Sequence, residues 1–214
     1  MPEPLLIVII ALAIGFGVVN GFNDAANAVA AAVGSRALSP RNAIILASCF
    51  NFVGAATGTA VAQTIGKGIL IPEATSYLTV IAALGAIIIW GSIATHYGVP
   101  ISLTHGFVAG LAAAGVAVSG SGAVVWGVMQ RILVSVAAAP ALGFAGGFAL
   151  MVILLWALRH SLPARLRAVF SRLQWLTTAF LAYSHGNNDG QMPIGIITMA
   201  WAGYAIYKGI KELD

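Results

Sequence analysis

The chain has 214 residues, of which 60% are hydrophobic and 7% charged, and its formal net charge is +4. A water-soluble domain carries about 25% charged residues, so this composition excludes an ordinary soluble protein and predicts an all-α, multi-pass membrane protein. The positive charge is concentrated in short loops between apolar segments, where it reports membrane topology and gives no sign of nucleic acid binding.

Three apolar segments occupy the first half of the chain, over residues 5–33, 42–65 and 77–97. The loop after the first segment carries Arg36 and Arg41, and the positive-inside rule places such a loop in the cytoplasm. The stretch MPEPLL at the start has no basic residue and lacks the features of a cleavable signal peptide. We therefore expect a protein of the cell membrane with its N-terminus outside.

The second half of the chain predicts two further spans, then a basic loop, then two shorter apolar segments around the sequence HGNNDGQ. The four apolar segments cover residues 123–138, 140–158, 173–184 and 192–207. The loop at 159–172 holds four arginines and should also face the cytoplasm. Both basic loops share one side if the chain crosses an even number of times between them. Residues 99–119 are therefore expected to form a re-entrant hairpin that does not cross.

Two aspartates fall in membrane-embedded sequence, and both follow the pattern Gly-x-Asn-Asp. The first is Asp24, in GFND, and the second is Asp189, in GNND. A charge at the bilayer centre costs at least about 2.5–3.5 kcal/mol on insertion scales, so a chain that carries two in matching settings is expected to use them. A buried polar network that merely fixes helix packing is the alternative.

Each motif is also expected to break its helix into two halves, because glycine and asparagine disfavour continuous helix. Unwound carbonyl oxygens, the amide oxygens of Asn23, Asn27 and Asn188, and the carboxylates are hard ligands. Such a set suits Na⁺, or a proton carried on the aspartate. The two motifs thus predict a cation site formed by Asn23, Asp24, Asn27, Asn188 and Asp189.

The stretch PISLTH predicts an anion site made of dipoles. Pro100 is a favourable first residue for a helix, Ser102 and Thr104 offer hydroxyl groups, and the first turn offers free backbone N–H groups. A plain helix N-cap on Ser102 or Thr104 is the alternative. An anion beside two bare carboxylates would be repelled until a cation neutralises them. Coupled binding of cation and anion follows, which favours symport over a passive pore.

Four longer stretches lie in order along the chain, namely GFNDAANAVAAAVGSRALSPRNA, NFVGAATGTAVAQTIGKG, YGVPISLTHGFVAGL and AYSHGNNDGQMPIGIITMA. Together they resemble the PiT family of inorganic phosphate transporters. The resemblance implies an inverted-repeat secondary transporter fold with broken helices. It also implies transport of phosphate with Na⁺, with H⁺ or as a metal–phosphate complex, and some relatives carry sulfate.

The resemblance also implies roles for individual residues. Asn23, Asp24 and Asn27 would form the cation and substrate site of the first repeat, and Asn188 and Asp189 would match them in the second. Ser102 and Thr104 would contact phosphate, with the backbone N–H of Leu103 nearby. Family members commonly have Ser or Thr where this chain has Leu103, so one phosphate donor is expected to be missing.

The resemblance further implies that the second repeat is incomplete, because a second Pro-x-Ser-x-Thr-His stretch is absent from the 214 residues. The expected division is a first repeat over 1–158, a basic cytoplasmic loop over 159–172 and the start of a second repeat over 173–214. A homodimer or a second chain would then complete the transporter.

Some other features have weaker assignments. His105 and His185 adjoin the two predicted sites and are equally suited to relay protons or to hold a helix break through a hydrogen bond. Asn51 and Gln63 are expected to make hydrogen bonds between helices. Three glycine pairs with GxxxG spacing predict close helix packing. They are Gly54/Gly58, Gly106/Gly110 and Gly143/Gly147.

The function predicted from these observations is symport of inorganic phosphate with Na⁺ or H⁺. Enzyme signatures such as HExxH and GxSxG are absent from the sequence, and the single cysteine, Cys49, has no evident catalytic use. We therefore expect no enzymatic activity and no cofactor beyond the transported cation. A sulfate permease of the same fold and a passive anion channel are the alternatives, and a channel would conduct without any cation gradient.

Overall fold

A computed structural model describes residues 3–211, except for the side chains of residues 25, 64–67, 206, 207, 210 and 211. The last residues of the predicted second repeat, 212–214, lie outside this range. Over the described residues the chain is mostly helical, with eight α-helices, two short 3-10 turns and no β-strand. The helices are α1 (Glu3–Gly34), α2 (Pro40–Thr57), α3 (Ala60–Lys67), α4 (Tyr77–His96), α5 (Leu103–Ser119), α6 (Trp126–Leu158), α7 (Pro163–Asn188) and α8 (Gln191–Lys211).

Three of the described helices are long and apolar enough to cross a membrane. They are α1 with 32 residues, α4 with 20 and α6 with 33, while α5 is a shorter apolar helix. Their lengths suit a hydrocarbon core that needs about 20 helical residues to cross. The prediction of an all-α membrane protein is therefore confirmed.

The first Asn/Asp motif does not break its helix, so that part of the prediction is wrong. Helix α1 runs without interruption from Glu3 to Gly34. Its polar side chains bond to one another along one helix face: Asn20 Nδ2 donates to Asp24 Oδ2 at 3.1 Å and Asn27 Nδ2 to Asp24 Oδ1 at 3.4 Å. Side chains three and four residues apart are neighbours on a helix, so the carboxylate finds its partners without unwinding the backbone.

The second motif does break its helix, as predicted. Helix α7 ends at Asn188 and α8 begins at Gln191, with Asp189 and Gly190 between them. Pro193 lies in the first turn of α8, where its missing N–H has no helical partner to lose.

A further break, which the sequence analysis did not predict, separates α2 from α3 at Gly58 and Thr59. A Cβ added at Gly58 would overlap the side chains of Asn187 and Gln191. Glycine therefore leaves room here for the side chains of the second break, and its backbone angles are ordinary extended ones. The two helix interruptions lie side by side.

The predicted re-entrant hairpin over 99–119 is also wrong. Residues 103–119 form the single helix α5, which returns antiparallel along α4. The direction follows from the contacts, because Gly106 faces Ile87 and Gly110 faces Ala83. The two spans predicted over 123–138 and 140–158 are likewise one helix, α6, which continues through Pro140. Helices α5 and α6 lie between the end of α4 and the basic segment. The number of helices between them is therefore even, as the predicted topology requires.

The basic segment is mostly helical, because α7 begins at Pro163 within the predicted loop 159–172. The Ser35 hydroxyl in the turn after α1 contacts the Gln174 side chain of α7. This contact brings the start of α7, with its arginines, to the end of the molecule that holds Arg36. The prediction that both basic segments share one end agrees with this contact.

Two packing regions hold the described helices together. The main core joins α1, α4, α5 and α8 around buried residues such as Phe16, Leu84, Phe107 and Ile196. In the second region α2 and α7 pack backbone to backbone: a Cβ on Gly54 would overlap the Tyr183 carbonyl oxygen, and one on Gly186 the Asn51 carbonyl oxygen. Helix α6 differs from both, since none of its residues is buried.

Candidate functional site

The central cavity of the molecule has a volume of about 440 Å³ and lies between α1, the segment before α5, and α7. It brings together the two aspartates and the hydroxyl-bearing stretch, which are far apart in sequence. Its lining residues are Asp24, Asn27, Ala28, Pro100, Ile101, Ser102, Leu181, His185 and Asp189.

His185 lies between the two carboxylates. Its Nε2 is 3.7 Å from Asp24 Oδ2 and 3.7 Å from Asp189 Oδ2. These distances are too long for hydrogen bonds. The side chains are shielded from solvent, with exposed fractions of 16% for Asp24, 20% for His185 and 27% for Asp189. One ligand atom from each residue lies within 4.8 Å of the other two, so the three atoms surround a point that a small cation can occupy.

The other ring nitrogen of His185 is held by helix α2. His185 Nδ1 lies 2.7 Å from Asn51 Oδ1, and when it carries the proton it donates to this oxygen. In that tautomer the Nε2 lone pair faces two carboxylates, and Nε2 is one of three buried side-chain polar atoms in the described residues that have no hydrogen-bond partner. Positive charge at this point, as a proton on Nε2 or as a bound cation, would relieve the repulsion.

The two carboxylates are held in different ways. Asp24 is held by side chains, and its closer partner, Asn20, is 4% exposed. Asp189 is held by the backbone of the last turn of α7, since its N–H donates to the His185 carbonyl at 2.8 Å and its backbone angles are helical, immediately before the chain breaks at Gly190. The first aspartate therefore depends on the polar face of α1, and the second on the geometry of the break.

Ser102 forms the third wall of the cavity and is also the N-cap of α5. Its Oγ accepts from the His105 backbone N–H at 3.4 Å, so the N-cap interpretation agrees with the structure. The first N–H groups of a helix have no intrahelical partner and attract anions. The cavity thus places the start of a helix dipole beside two carboxylates, an arrangement that suits an anion once a cation is present.

Five of the ten predicted site residues do not line this cavity. Asn23 Nδ2 donates to Thr95 Oγ1 on α4 at 3.0 Å, away from the cavity, and its own Oδ1 is buried without a partner. Asn188 is exposed and donates to the Ser184 carbonyl of its own helix at 3.0 Å. Leu103 is fully buried in the core, Thr104 has a buried hydroxyl without a partner, and His105 is exposed.

Several residues that contribute to the site were not predicted as part of it. Asn20 lies one helical turn before Asp24, and this spacing was a usable signal. Asn187 and Gln191 bond to each other across the second break, with 3.0 Å between Asn187 Oδ1 and Gln191 Nε2. Asn51 was expected to bond between helices, and it does so, to His185. Gln63 instead donates to Thr59, four residues earlier, at 3.4 Å.

Sequence comparisons match this chain to one protein family and to similar proteins in two bacteria. The sequence profile of the "Phosphate transporter family" matches residues 20–212. A "Probable low-affinity inorganic phosphate transporter" of Bacillus subtilis (strain 168) is 40% identical over 198 residues, which are 92% of this chain and 60% of the relative. A protein of the same description from Streptomyces halstedii is 38% identical over 189 residues, covering 87% of this chain and 88% of the relative.

A solved structure described as "The sodium-dependent phosphate transporter" shares the fold, with a TM-score of 0.81 and 24% sequence identity. The similarity covers 95% of this chain and 68% of the solved chain. The chain spans 60% of the length of the Bacillus subtilis relative and 59% of that of a Rhizobium meliloti (strain 1021) relative, which is 34% identical.

Proposed function

We propose that this chain, which belongs to the phosphate transporter family, moves inorganic phosphate across the cell membrane together with a cation. The family is one of transporters and not of enzymes. The single observation that carries the proposal is the cavity in which Asp24, Asp189 and Ser102 lie together. Relatives described as inorganic phosphate transporters support the substrate.

The cation has an electrostatic role in this proposal. Two carboxylates within reach of one another repel an entering phosphate, and the repulsion is strong in a site of low dielectric. A cation between Asp24, Asp189 and His185 Nε2 removes the repulsion and adds attraction. Cation and phosphate then bind more tightly together than apart, and this coupling is reciprocal. We propose Na⁺ as the first cation to test, because the similar solved structure is described as sodium-dependent, and H⁺ as the second.

Phosphate is favoured over sulfate by the same carboxylates. Hydrogen phosphate carries a proton that it can donate to a carboxylate, whereas sulfate at neutral pH has none. Asp24 and Asp189 are acceptors in the cavity wall. The site residues assigned to phosphate are therefore Asp24, Asp189 and Ser102, together with the first-turn N–H groups of α5 at Leu103 and Thr104.

We also propose that residues 1–158 form one transmembrane repeat and that 173–214 begin another. A Gly-x-Asn-Asp motif in each supports this division. The matched segment is 60% of the Bacillus subtilis relative and 88% of the Streptomyces halstedii relative, and assembly with a second copy or another chain stays a prediction. The shared end of the two basic segments supports an orientation with that end in the cytoplasm and the N-terminus outside.

Uptake of radiolabelled phosphate into proteoliposomes, with Na⁺ and pH gradients imposed separately, tests the proposal. We expect uptake to follow an inward cation gradient and to be inhibited by excess phosphate more than by excess sulfate. Asp24→Asn and Asp189→Asn should each lower gradient-driven uptake about 100-fold, equivalent to about 2.7 kcal/mol. Ser102→Ala should weaken the apparent phosphate affinity while gradient dependence remains.

Glu73→Gln is the matched control, because Glu73 lies in an exposed turn outside the cavity. It should leave uptake unchanged. Uptake that persists without any gradient and survives Asp24→Asn would indicate a passive anion channel instead. Preferential inhibition by sulfate would indicate the sulfate permease.

A further inference from the structure

We propose that Gln191 is a positioning residue that ties the two helix breaks together and thereby holds Asp189 toward Asp24. The expected effect on cation affinity rests on the proposed function. The hydrogen bonds that join the two breaks do not depend on that function and can be tested separately. Gln191 does not line the central cavity, so any effect it has on cation or phosphate must pass through its neighbours.

Both ends of the Gln191 amide are used within a fully enclosed site. The residue is 1% exposed. Its Oε1 accepts from the Val61 backbone N–H at 3.2 Å, and its Nε2 donates to Asn187 Oδ1 at 3.0 Å. A buried polar group that loses its partner destabilises the fold, so this pair of bonds favours one arrangement of the surrounding backbone.

The partners of Gln191 belong to three different helix ends. Val61 lies in the first turn of α3, where its N–H has no intrahelical acceptor, Asn187 lies in the last turn of α7, and Gln191 is the first residue of α8. One side chain therefore joins the start of α3, the end of α7 and the start of α8. The α2 side of the junction is closed by Gly58, whose added Cβ would overlap both the Gln191 and the Asn187 side chains.

Asp189 lies inside the bridge that this hydrogen bond closes. It is one of three residues between Asn187 and Gln191, whose side chains bond across it. Asp189 keeps helical backbone angles (φ −78°, ψ −33°) at the end of α7, so the hydrogen bond between the side chains of Asn187 and Gln191 closes over this last turn and holds it. The Asp189 carboxylate lies 3.7 Å from Nε2 of His185, four residues earlier, and this distance depends on the turn staying helical. Residues that orient the ligands of a cation commonly change its affinity about 10- to 100-fold when they are mutated.

The binding experiment uses the purified 214-residue chain in detergent. Radiolabelled phosphate binding is measured against Na⁺ concentration, and thermal unfolding is measured in parallel. Gln191→Leu keeps the volume and removes both hydrogen bonds, and we expect it to raise the half-saturating Na⁺ concentration about 10-fold. Asn187→Leu should do the same, because it removes the acceptor for Gln191 Nε2.

Thr79→Val is the matched control for loss of a buried polar group. Thr79 is 2% exposed, caps α4 together with Ser76 and does not line the central cavity. It should lower the unfolding temperature and leave the half-saturating Na⁺ concentration unchanged. Gly58→Ala should reproduce Gln191→Leu, because its methyl group displaces the same pair of side chains.

A second readout does not depend on any ligand. Spin labels on cysteines introduced at the exposed positions Leu176 of α7 and Trp201 of α8, in a Cys49→Ser background, report the angle between the two helices. We expect one narrow distance distribution in the otherwise unaltered chain and with Thr79→Val. The distribution should broaden with Gln191→Leu and with Gly58→Ala.

The two readouts separate the inference from the function it serves. Unaltered distances in Gln191→Leu overturn the linkage whatever the protein transports. Broadened distances with an unchanged half-saturating Na⁺ concentration overturn the positioning role. Absence of Na⁺-dependent phosphate binding in the wild type counts against the proposed function, and the distance measurement still decides whether Gln191 ties the breaks.

Discussion

The two Gly-x-Asn-Asp motifs deliver their aspartates to one cavity through different backbones. The first lies in the middle of the uninterrupted helix α1, and the second lies at the gap between α7 and α8. Their carboxylates nevertheless approach the same His185 nitrogen at equal distances of 3.7 Å. The shared motif thus supplies the side chains of the site, and the residues that follow it determine whether the helix continues or breaks.

The difference between the motifs follows from what comes after each aspartate. Asp24 is followed by two alanines, the best helix formers, while Asp189 is followed by Gly190 and, three positions later, by Pro193. In the first motif Asn20 and Asn27 bond to the carboxylate along the helix. In the second, the side chain at the position before the Asn-Asp pair, Asn187, bonds across the gap to Gln191.

Apart from replacement of the aspartates themselves, the largest expected effect comes from filling the gap in the second motif. In Gly190→Ala the added Cβ would lie 2.6 Å from the Gly186 carbonyl oxygen and 3.0 Å from the Ala55 Cβ. Backbone must shift to admit it, and overpacking of this kind costs about 1–3 kcal/mol. We expect a lower unfolding temperature and about a 30-fold loss of cation-dependent phosphate binding, about 2 kcal/mol. Normal stability and binding would mean that α7 and α8 are not held at this angle.

An intermediate effect is expected from the side chains that hold Asp24. Asn20→Leu removes a buried donor from the carboxylate, and a hydrogen bond to a charged group contributes about 1.5–3 kcal/mol. Cation-dependent phosphate binding should weaken about tenfold. Asn27→Leu is the comparison, because Asn27 is exposed and its bond is longer, at 3.4 Å. Equal effects from the two variants would contradict the assignment of Asn20 as the main support of Asp24.

The smallest effect is expected from the glycine of the first motif. A Cβ at Gly21 meets no atom within 4 Å, and α1 is helical there. Gly21→Ala should therefore stabilise the protein slightly, by about 0.5–1 kcal/mol, as measured by thermal unfolding, and phosphate binding should be unaltered. Serious destabilisation would show that α1 opens at this motif in some other state of the protein.

The sequence supported the fold class and the convergence of the aspartates because both depend on composition and on the cost of burying charge. The break at Asp189 was predictable for a local reason, the glycine and proline that follow. The break at Gly58 was not, since it goes with the close approach of Asn187 of α7 and Gln191 of α8, which are distant in sequence. The continuity of α1 was missed because the weak helix formers were counted without the hydrogen bonds that compensate for them.

Glycine spacing predicted helix packing only in part, because close packing also needs a neighbouring helix. The predicted close approach holds at Gly54, which faces the backbone of α7, and at Gly106 and Gly110, which face α4. For Gly143 and Gly147 on α6, an added Cβ would meet no described atom within 4 Å. The spacing marks a helix face that can pack closely, and it carries no information about whether a partner is present.

Helix α6 has a consequence for the choice of lipid. Its 33 residues extend about 50 Å, whereas the 20 residues of α4 extend about 30 Å, which equals the thickness of a typical hydrocarbon core. The longer helix can match that thickness by leaning steeply or by bending at Pro140, since none of its residues is fully buried and its contacts with the main core are at Met129 and Ile132 near its start. Bilayers made from lipids with shorter or longer acyl chains should therefore reorient α6 far more than α4.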